Sequence, residues 1–143
     1  MRRWYVLMLG LIVAIGSSLS AQDKAGTLAP LQGRWIVTSA EHNGKSLDAI
    51  KGGVMTVAGE AFEVRTASGN VLKGTLRPDS SKSPAHLDML HADGEKWEAI
   101  YEVTGDTFRI TYVEAGGKDP RPAMFTTSAT TEESLVTMRR EQR

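Results

Sequence analysis

The sequence contains no cysteine. This absence excludes disulfide bridges, zinc–thiolate sites and a cysteine nucleophile from these 143 residues, together with the lipid-bearing cysteine of a bacterial lipoprotein. The stability of the fold must therefore come from its hydrophobic core, without covalent cross-links.

An excess of charge of either sign is also absent. The chain has 17 Lys and Arg residues against 17 Asp and Glu residues, and the two signs are mixed along it. Proteins that bind nucleic acid or anionic membranes electrostatically usually carry a basic patch or tail. We therefore expect neither nucleic acid nor an anionic lipid surface as a partner.

Histidine is scarce, and its spacing is poor for a metal site. His42 lies in a turn sequence, whereas His86 and His91 lie on one predicted strand, five residues apart. An odd spacing places their side chains on opposite faces of that strand. The sequence predicts no metal site and no cofactor, with haem held by His91 alone as the alternative.

Catalytic motifs are missing as well. The chain has no Gly-x-Ser-x-Gly turn and no glycine-rich phosphate loop before a helix. The carboxylates that could pair for acid–base catalysis fall at strand ends or on polar faces, where solvated side chains are the rule: Glu95, Glu98, Glu102, Glu132 and Glu133. The sequence therefore predicts no catalytic residues and a protein that is not an enzyme.

A continuous apolar run occurs only near the N-terminus. Two arginines precede an apolar stretch from Trp4 to Ile15, and small residues continue to Ala21. This order is typical of a secretory signal peptide, and the run is short for a membrane span of roughly 20 residues. Residues 1–21 are predicted to be cleaved off after Ser20 or Ala21, which leaves a periplasmic or secreted protein without a membrane anchor. The alternative is an uncleaved anchor.

The rest of the chain alternates between short strand patterns and turn residues. Residues 22–30 are a polar and small-residue lead that we expect to be flexible, and residues 46–53 have a slight helical character. Pro78 to Pro84 is interpreted as the longest loop, which no strand should enter. The predicted strands are 34–41, 54–57, 61–66, 71–77, 86–91, 96–103, 107–114, 123–128 and 134–140.

No predicted helix is long enough to connect parallel strands, so the strands should run antiparallel. We predict an all-β domain over residues 31–141, an antiparallel up-and-down meander of about 8–10 strands. A closed barrel is favoured over a sandwich because closure removes exposed sheet edges.

Three passages, taken in order and spacing, point to a family. They are Leu31-Gln32-Gly33-Arg34-Trp35-Ile36-Val37 with Asn43-Gly44-Lys45; Lys82-Ser83-Pro84-Ala85-His86-Leu87-Asp88 with Ile100-Tyr101-Glu102-Val103-Thr104-Gly105-Asp106; and Arg121-Pro122 with Phe125. Together they resemble a family of small exported domains of unknown function that is abundant in planctomycetes. That resemblance implies a lipocalin-like (calycin-type) barrel and export, and it implies no reaction.

The Gly33-x-Trp35 element also resembles the first-strand signature of lipocalins. In lipocalins the Trp plugs the closed end of the barrel, and an Arg near the last strand packs over it. Arg140 matches that Arg because it shares a strand face with Met138. The resemblance thus assigns structural roles to Gly33, Trp35 and Arg140. Many family members have a Cys where this chain has Thr111-Tyr112-Val113, so any role of that thiol is absent.

Four aromatic residues fall on two neighbouring strands: Trp97, Tyr101, Phe108 and Tyr112. Even spacing within each pair puts its members on one face of the strand. Both aromatic faces turn inward only in a register in which Tyr101 does not lie opposite Arg109, because burying the Arg109 charge without an ionic partner would be costly. A bulge at Gly105 would give that register. The four rings either fill an ordinary core or line a ligand cavity.

Arg121 is a further candidate contact to a ligand, because its guanidinium could bind an anionic group. The alternative is an ion pair that anchors a loop.

Two functions remain open. The domain either binds a small apolar or amphipathic ligand, or it is a structural or protein-interaction domain of the cell envelope with a filled core. A cavity of roughly 300 Å³ or more would favour ligand binding, and a packed interior would favour the second function.

Overall fold

The structure is a computed structural model that describes residues 27–142. This part of the chain contains two short 3-10 helices, Ala29–Leu31 and Asp48–Ile50, and nine strands. The strands are β1 (Gly33–His42), β2 (Lys45–Ser46), β3 (Val54–Ala58), β4 (Ala61–Arg65), β5 (Val71–Asp79), β6 (Ala85–His91), β7 (Lys96–Thr104), β8 (Thr107–Val113) and β9 (Ser134–Arg140). Within residues 27–142, no helix is long and apolar enough to cross a membrane.

Eight of these strands form a closed barrel. Each strand from β3 to β8 pairs antiparallel with the next along the chain, β1 pairs with β3, and β9 pairs with β1 to close the barrel. The two-residue β2 only extends the end of β1 as a hairpin. The predicted all-β, antiparallel up-and-down barrel is confirmed. A bulge between Val37 and Ser39 shifts the β1–β9 register, so the buried face of β1 passes from Val37 to Ala40.

One predicted strand end is wrong. β5 continues through Pro78 to Asp79, where Pro78 pairs with Leu87 of β6. On its other side β5 has already lost its partner, because β4 begins at Ala61 opposite Thr75. A proline is tolerated at such an edge because no ladder hydrogen bond is required from its nitrogen.

The predicted strand 123–128 is also wrong, and residues 114–133 form the longest connection. This segment lies over the outer face of the barrel, where the Phe125 ring centroid is 4.5 Å from the Arg109 guanidinium carbon. The outward-facing side chains of Ile100 and Thr111 on β7 and β8 are completely covered. The segment therefore builds a small second packing layer instead of a strand.

The end of the barrel at which β1 begins is the closed end. The 3-10 helix Ala29–Leu31 covers it, with Leu31 inaccessible and Leu28 buried in the core. The expectation of a flexible lead over residues 22–30 is therefore corrected for residues 27–30, because burial of Leu28 fixes them against the barrel. The predicted signal peptide, 1–21, and residues 22–26 lie outside the described residues.

Trp35 lies at the centre of the closed end. Its indole nitrogen donates a hydrogen bond to the Leu31 carbonyl oxygen (2.9 Å), and the Arg140 guanidinium carbon lies 4.2 Å from its ring centroid. Arg140 also donates to the carbonyl oxygens of Gln32 (2.5 Å) and Pro30 (3.1 Å). Gly33 has a φ of 112°, and a Cβ there would lie 3.1 Å from Arg140 Nη1. This is the arrangement that the Gly33-x-Trp35 resemblance implies.

Candidate ligand cavity at the open end

The β7–β8 hairpin sets which side chains enter the barrel. Its register pairs Tyr101 with Ile110 and Val103 with Phe108, so the aromatic faces of both strands turn inward. The register comes from a two-residue turn at Gly105-Asp106, with Gly105 at a φ of 59°, and not from a bulge. Arg109 faces outward, where Glu102 accepts a hydrogen bond from its Nε (2.9 Å).

The four aromatic residues singled out from the sequence divide into two levels. Tyr101 and Phe108 are buried at the closed end, 6.3 Å apart, and Phe108 makes an edge contact with Trp35 at 5.1 Å. Trp97 and Tyr112 stack at 5.0 Å near the opposite end, where both remain partly exposed. The four inward-facing rings therefore do not form one buried cluster, contrary to the expectation from their shared strand faces. At the opposite end the 3-10 helix Asp48–Ile50 contributes only Ile50 to the cavity lining, and Trp97 and Tyr112 stay partly in contact with solvent.

The end of the barrel at which β1 finishes, the open end, contains a cavity of about 120 Å³. Its walls are mainly aliphatic and come from opposite sides of the barrel, including Val37, Met55, Val64, Ile110 and Val136. Leu72 also lines it and is 40% exposed at the rim. An apolar hollow reached from one partly open rim suits a ligand with little polar surface.

Four rings form a continuous set along one wall of this cavity, and we call them the open-end rings: Phe62, His91, Trp97 and Tyr112. Phe62 meets His91 edge-on at 5.5 Å, His91 lies 4.0 Å from Trp97, and Trp97 stacks on Tyr112. Gly74, opposite Phe62 in the ladder, makes room for the first ring. A Cβ at Gly74 would lie 2.8 Å from the Phe62 ring and overlap the Leu90 carbonyl oxygen.

His91 is the most unusual member of this set. Its side chain is buried, and its Nε2 has no hydrogen-bond partner. Burial lowers the pKa of His91, and the carboxylates of Asp93, Glu95 and Glu114 oppose that shift. The imidazole is therefore neutral near pH 7. Among residues 27–142, no group of three or more His, Asp or Glu side chains is placed to hold a metal ion.

The spacing of the histidines indicates His91 only as a metal or haem ligand and does not reveal its place among the open-end rings. The sequence signal that could have shown this place is the even spacing of His91 from Leu87 and Met89. His91 shares a strand face with Leu87 and Met89, both of which are buried in the core. His86 lies on the other face of β6, as its odd separation from His91 predicts.

Tyr112 provides a second polar group in the cavity wall. Burial raises the pKa of Tyr112, and a hydrogen bond with the Ser134 side chain partly offsets this effect. The Ser134 hydroxyl is also 2.8 Å from His42 Nδ1. The Tyr112 phenol is therefore neutral near pH 7, and its oxygen already has a protein partner.

Arg121 lies outside the barrel and does not line the cavity. It donates hydrogen bonds to the carbonyl oxygens of Leu87 (3.2 Å) and Ala99 (2.9 Å) and pairs with Asp88 at 2.5 Å. These contacts fix the segment 114–133 to β6 and β7. They correspond to the loop-anchoring ion pair that was the alternative interpretation of this residue, in place of an anion ligand.

No family model and no curated protein matches the chain. One solved structure that matches it is a de novo designed fluorescence-activating β-barrel, with 16% identity and a TM-score of 0.45. The alignment covers 83% of this chain and 98% of the designed one. At this level of similarity the comparison carries no argument, so the barrel assignment rests on the strand pairing itself. The resemblance to the planctomycete family stays a prediction.

Proposed function

We propose that this protein is an exported, lipocalin-like barrel that binds a small, largely apolar ligand at its open end without catalysing a reaction. The observation that carries this proposal is the apolar cavity bounded by the open-end rings. Small-molecule sites are typically concave and mostly apolar, with a few placed polar groups. The open end has these properties, and its lining includes two residues with polar groups, His91 and Tyr112.

The size of the cavity limits the ligand. Its volume of about 120 Å³ is below the roughly 300–1,000 Å³ that holds drug-sized ligands. It is close to the roughly 150 Å³ of an engineered apolar cavity that accepts benzene. The ligand is therefore a molecule of about one ring, or one end of a longer amphipathic molecule that projects past exposed Leu72.

One observation favours the alternative, a structural or interaction domain with a filled core. The cavity of about 120 Å³ is smaller than the roughly 300 Å³ expected of a ligand site. Under this alternative the cavity is a packing defect that takes up no small apolar molecule.

Methionine methyl NMR separates the two functions, because Met55, Met89 and Met138 line the cavity whereas Met124 is 67% exposed on the outer segment. The protein is titrated with toluene. We expect saturable shifts of the three cavity methyl signals and no shift of the Met124 signal. If the cavity signals do not move up to the solubility limit of toluene, the binding proposal fails and the filled-core alternative stands.

A matched pair of variants shows whether binding occurs in the cavity. Val64→Phe adds a ring to the cavity wall, whereas Val54→Phe adds the same ring to the outer face of β3, where Val54 pairs with Arg65. We expect Val64→Phe to abolish the toluene response and Val54→Phe to keep it. Equal responses of the two variants would place toluene elsewhere and contradict the proposal.

Export is tested separately from binding, because it depends on the pattern of residues 1–21. We expect the intact mass of the protein recovered from its host envelope or medium to begin at Ala21 or Gln22. Recovery of the protein with all 21 residues retained would overturn the export part of the proposal.

A further inference from the structure

His91 Nε2 is a buried polar atom that the fold leaves without a hydrogen-bond partner. Leaving such an atom unsatisfied is costly, so buried polar groups nearly always have partners. Two other described side chains have a similar unpartnered atom, Asn43 Oδ1 and Thr111 Oγ1, but neither residue lines the cavity. Only the orphan atom of His91 belongs to a residue of the proposed binding site.

The His91 imidazole is in contact with two aromatic rings. The Phe62 ring meets it edge-on at 5.5 Å, and the Trp97 ring lies 4.0 Å away. Rings at these separations prefer offset or edge-on contacts with further rings, so a flat aromatic ligand fits this wall well. Nε2 itself has almost no accessible surface, so the imidazole must turn slightly towards the cavity for a ligand to reach this atom.

The chemistry of Nε2 limits the polar group of the ligand. A neutral imidazole has one donor nitrogen and one acceptor nitrogen, and either role can fall to Nε2. A hydroxyl group both donates and accepts, so it satisfies Nε2 in either tautomer. The carboxylates of Asp93, Glu95 and Glu114 act on His91 electrostatically, and they disfavour an anionic ligand at the same place.

We propose that the cavity selects a small aromatic molecule with a neutral hydroxyl group, which forms a hydrogen bond with His91 Nε2. This inference rests on the proposed function and specifies its ligand class. His91 is then the residue that determines specificity, whereas the aliphatic walls and the rings provide affinity for any apolar molecule of suitable size.

Phenol and toluene test the proposal because they have nearly the same shape and differ in one hydroxyl group. Dissociation constants for both are measured from the shifts of the Met55 and Met89 methyl signals. We expect phenol to bind roughly 3- to 10-fold more tightly than toluene, the usual net effect of one hydrogen bond. Benzoate, an anion of similar shape, should bind more weakly than toluene, and tighter binding of benzoate would overturn the proposal.

The same substitution on the two faces of β6 gives the control. His91→Phe keeps a ring in the wall and removes the polar atom, whereas His86→Phe changes the opposite face of the strand. We expect the preference for phenol over toluene to fall to about one in His91→Phe and to persist in His86→Phe. A preference that survives in His91→Phe would overturn the role of His91.

The outcomes for the parent protein separate this inference from the proposed function. Equal affinities for phenol and toluene would overturn the inference and leave the binding function intact, whereas no binding of either would overturn both. If His91→Phe does not fold, the imidazole ¹⁵N signals of the parent protein decide. Phenol should shift the His91 Nε2 signal and toluene should not; similar shifts with both would contradict the hydrogen bond.

Discussion

The closed and open ends of this barrel are built from the same strands and the same alternation of side chains, yet one is filled and the other is hollow. At the closed end, Trp35 and Phe108 are inaccessible, and Arg140 and the 3-10 helix Ala29–Leu31 cover them. At the open end, Trp97 and Tyr112 are only half-buried and border a cavity of about 120 Å³.

The difference comes from what covers each end. An eight-stranded barrel is just wide enough for side chains to fill its interior, so a helix that adds Leu28 and Leu31 completes the packing. At the open end, the 3-10 helix Asp48–Ile50 has no fully buried residue, and its Ile50 lines the cavity without filling it. A segment of a few residues therefore determines which half of the barrel is core and which half can receive a ligand.

The difference in packing between the two ends can be tested most directly at Trp35 and Trp97. We expect Trp35→Ala to lower the free energy of unfolding by about 3–5 kcal/mol, because it removes a fully buried ring and leaves a cavity. Trp97→Ala should cost roughly 1–2 kcal/mol, since part of that ring already faces solvent. Urea denaturation of both variants checks this, and equal losses would mean that the ends do not differ in packing.

Arg140 gives a second, smaller test of the closed end. Arg140→Ala removes the donors to the Gln32 and Pro30 carbonyl oxygens and the contact with the Trp35 ring, so we expect a loss of about 1–3 kcal/mol. Arg139→Ala, one residue earlier on the exposed face, should change stability by less than about 0.5 kcal/mol. Similar denaturation midpoints for both variants would show that Arg140 does not hold the closed end.

The open end should show its own pH dependence. Burial lowers the pKa of His91 in the folded protein, so below about pH 6.5 the unfolded chain binds more protons than the folded one. The stability that neutral His91 contributes is thus complete above this pH and decreases as the pH falls towards the lowered pKa. We expect unfolding free energies measured between pH 7.5 and 5 to fall more in the parent protein than in His91→Phe; identical slopes would contradict the assignment.

Fluorescence quenching sharpens the comparison because it measures solvent access to each indole directly. Two proteins, both with Trp4→Phe, retain a single indole at either Trp35 or Trp97. Acrylamide should quench Trp97 more strongly than Trp35, because only Trp97 is partly exposed, and less strongly than free indole, because Tyr112 stacks on it. Equal quenching of the two residues would show that the open end is sealed as well as the closed end.

Local patterns were sufficient to predict most of the strands. Alternation predicted β9 to the residue and β7 within one residue, since a strand with one buried face repeats every second residue. Local patterns failed where a distant partner decides the structure. Pro78 continues a strand because its neighbour has ended, and residues 123–128 follow the outer wall because Arg121 and Phe125 attach their segment there.

The candidate site was predictable in part. The inward faces of Trp97 and Tyr112 followed from parity, together with the argument that Arg109 must not be buried unpaired. The division of the four rings between two levels did not follow. Depth along a barrel depends on the tilt and stagger of strands that are distant in sequence, which local alternation does not reveal.

The sequence by itself determined the all-β class and the face on which most strand side chains lie, because a two-residue repeat and short turns act over a few residues. The contact between Trp35 and Arg140 was implied by the resemblance to the first-strand signature of lipocalins. Only the tertiary structure decided that Leu28 and Leu31 seal one end, that the other end keeps a cavity, and that His91 is buried without a partner. Those properties depend on the volume left when eight strands and their covering segments meet, and no single segment encodes that volume.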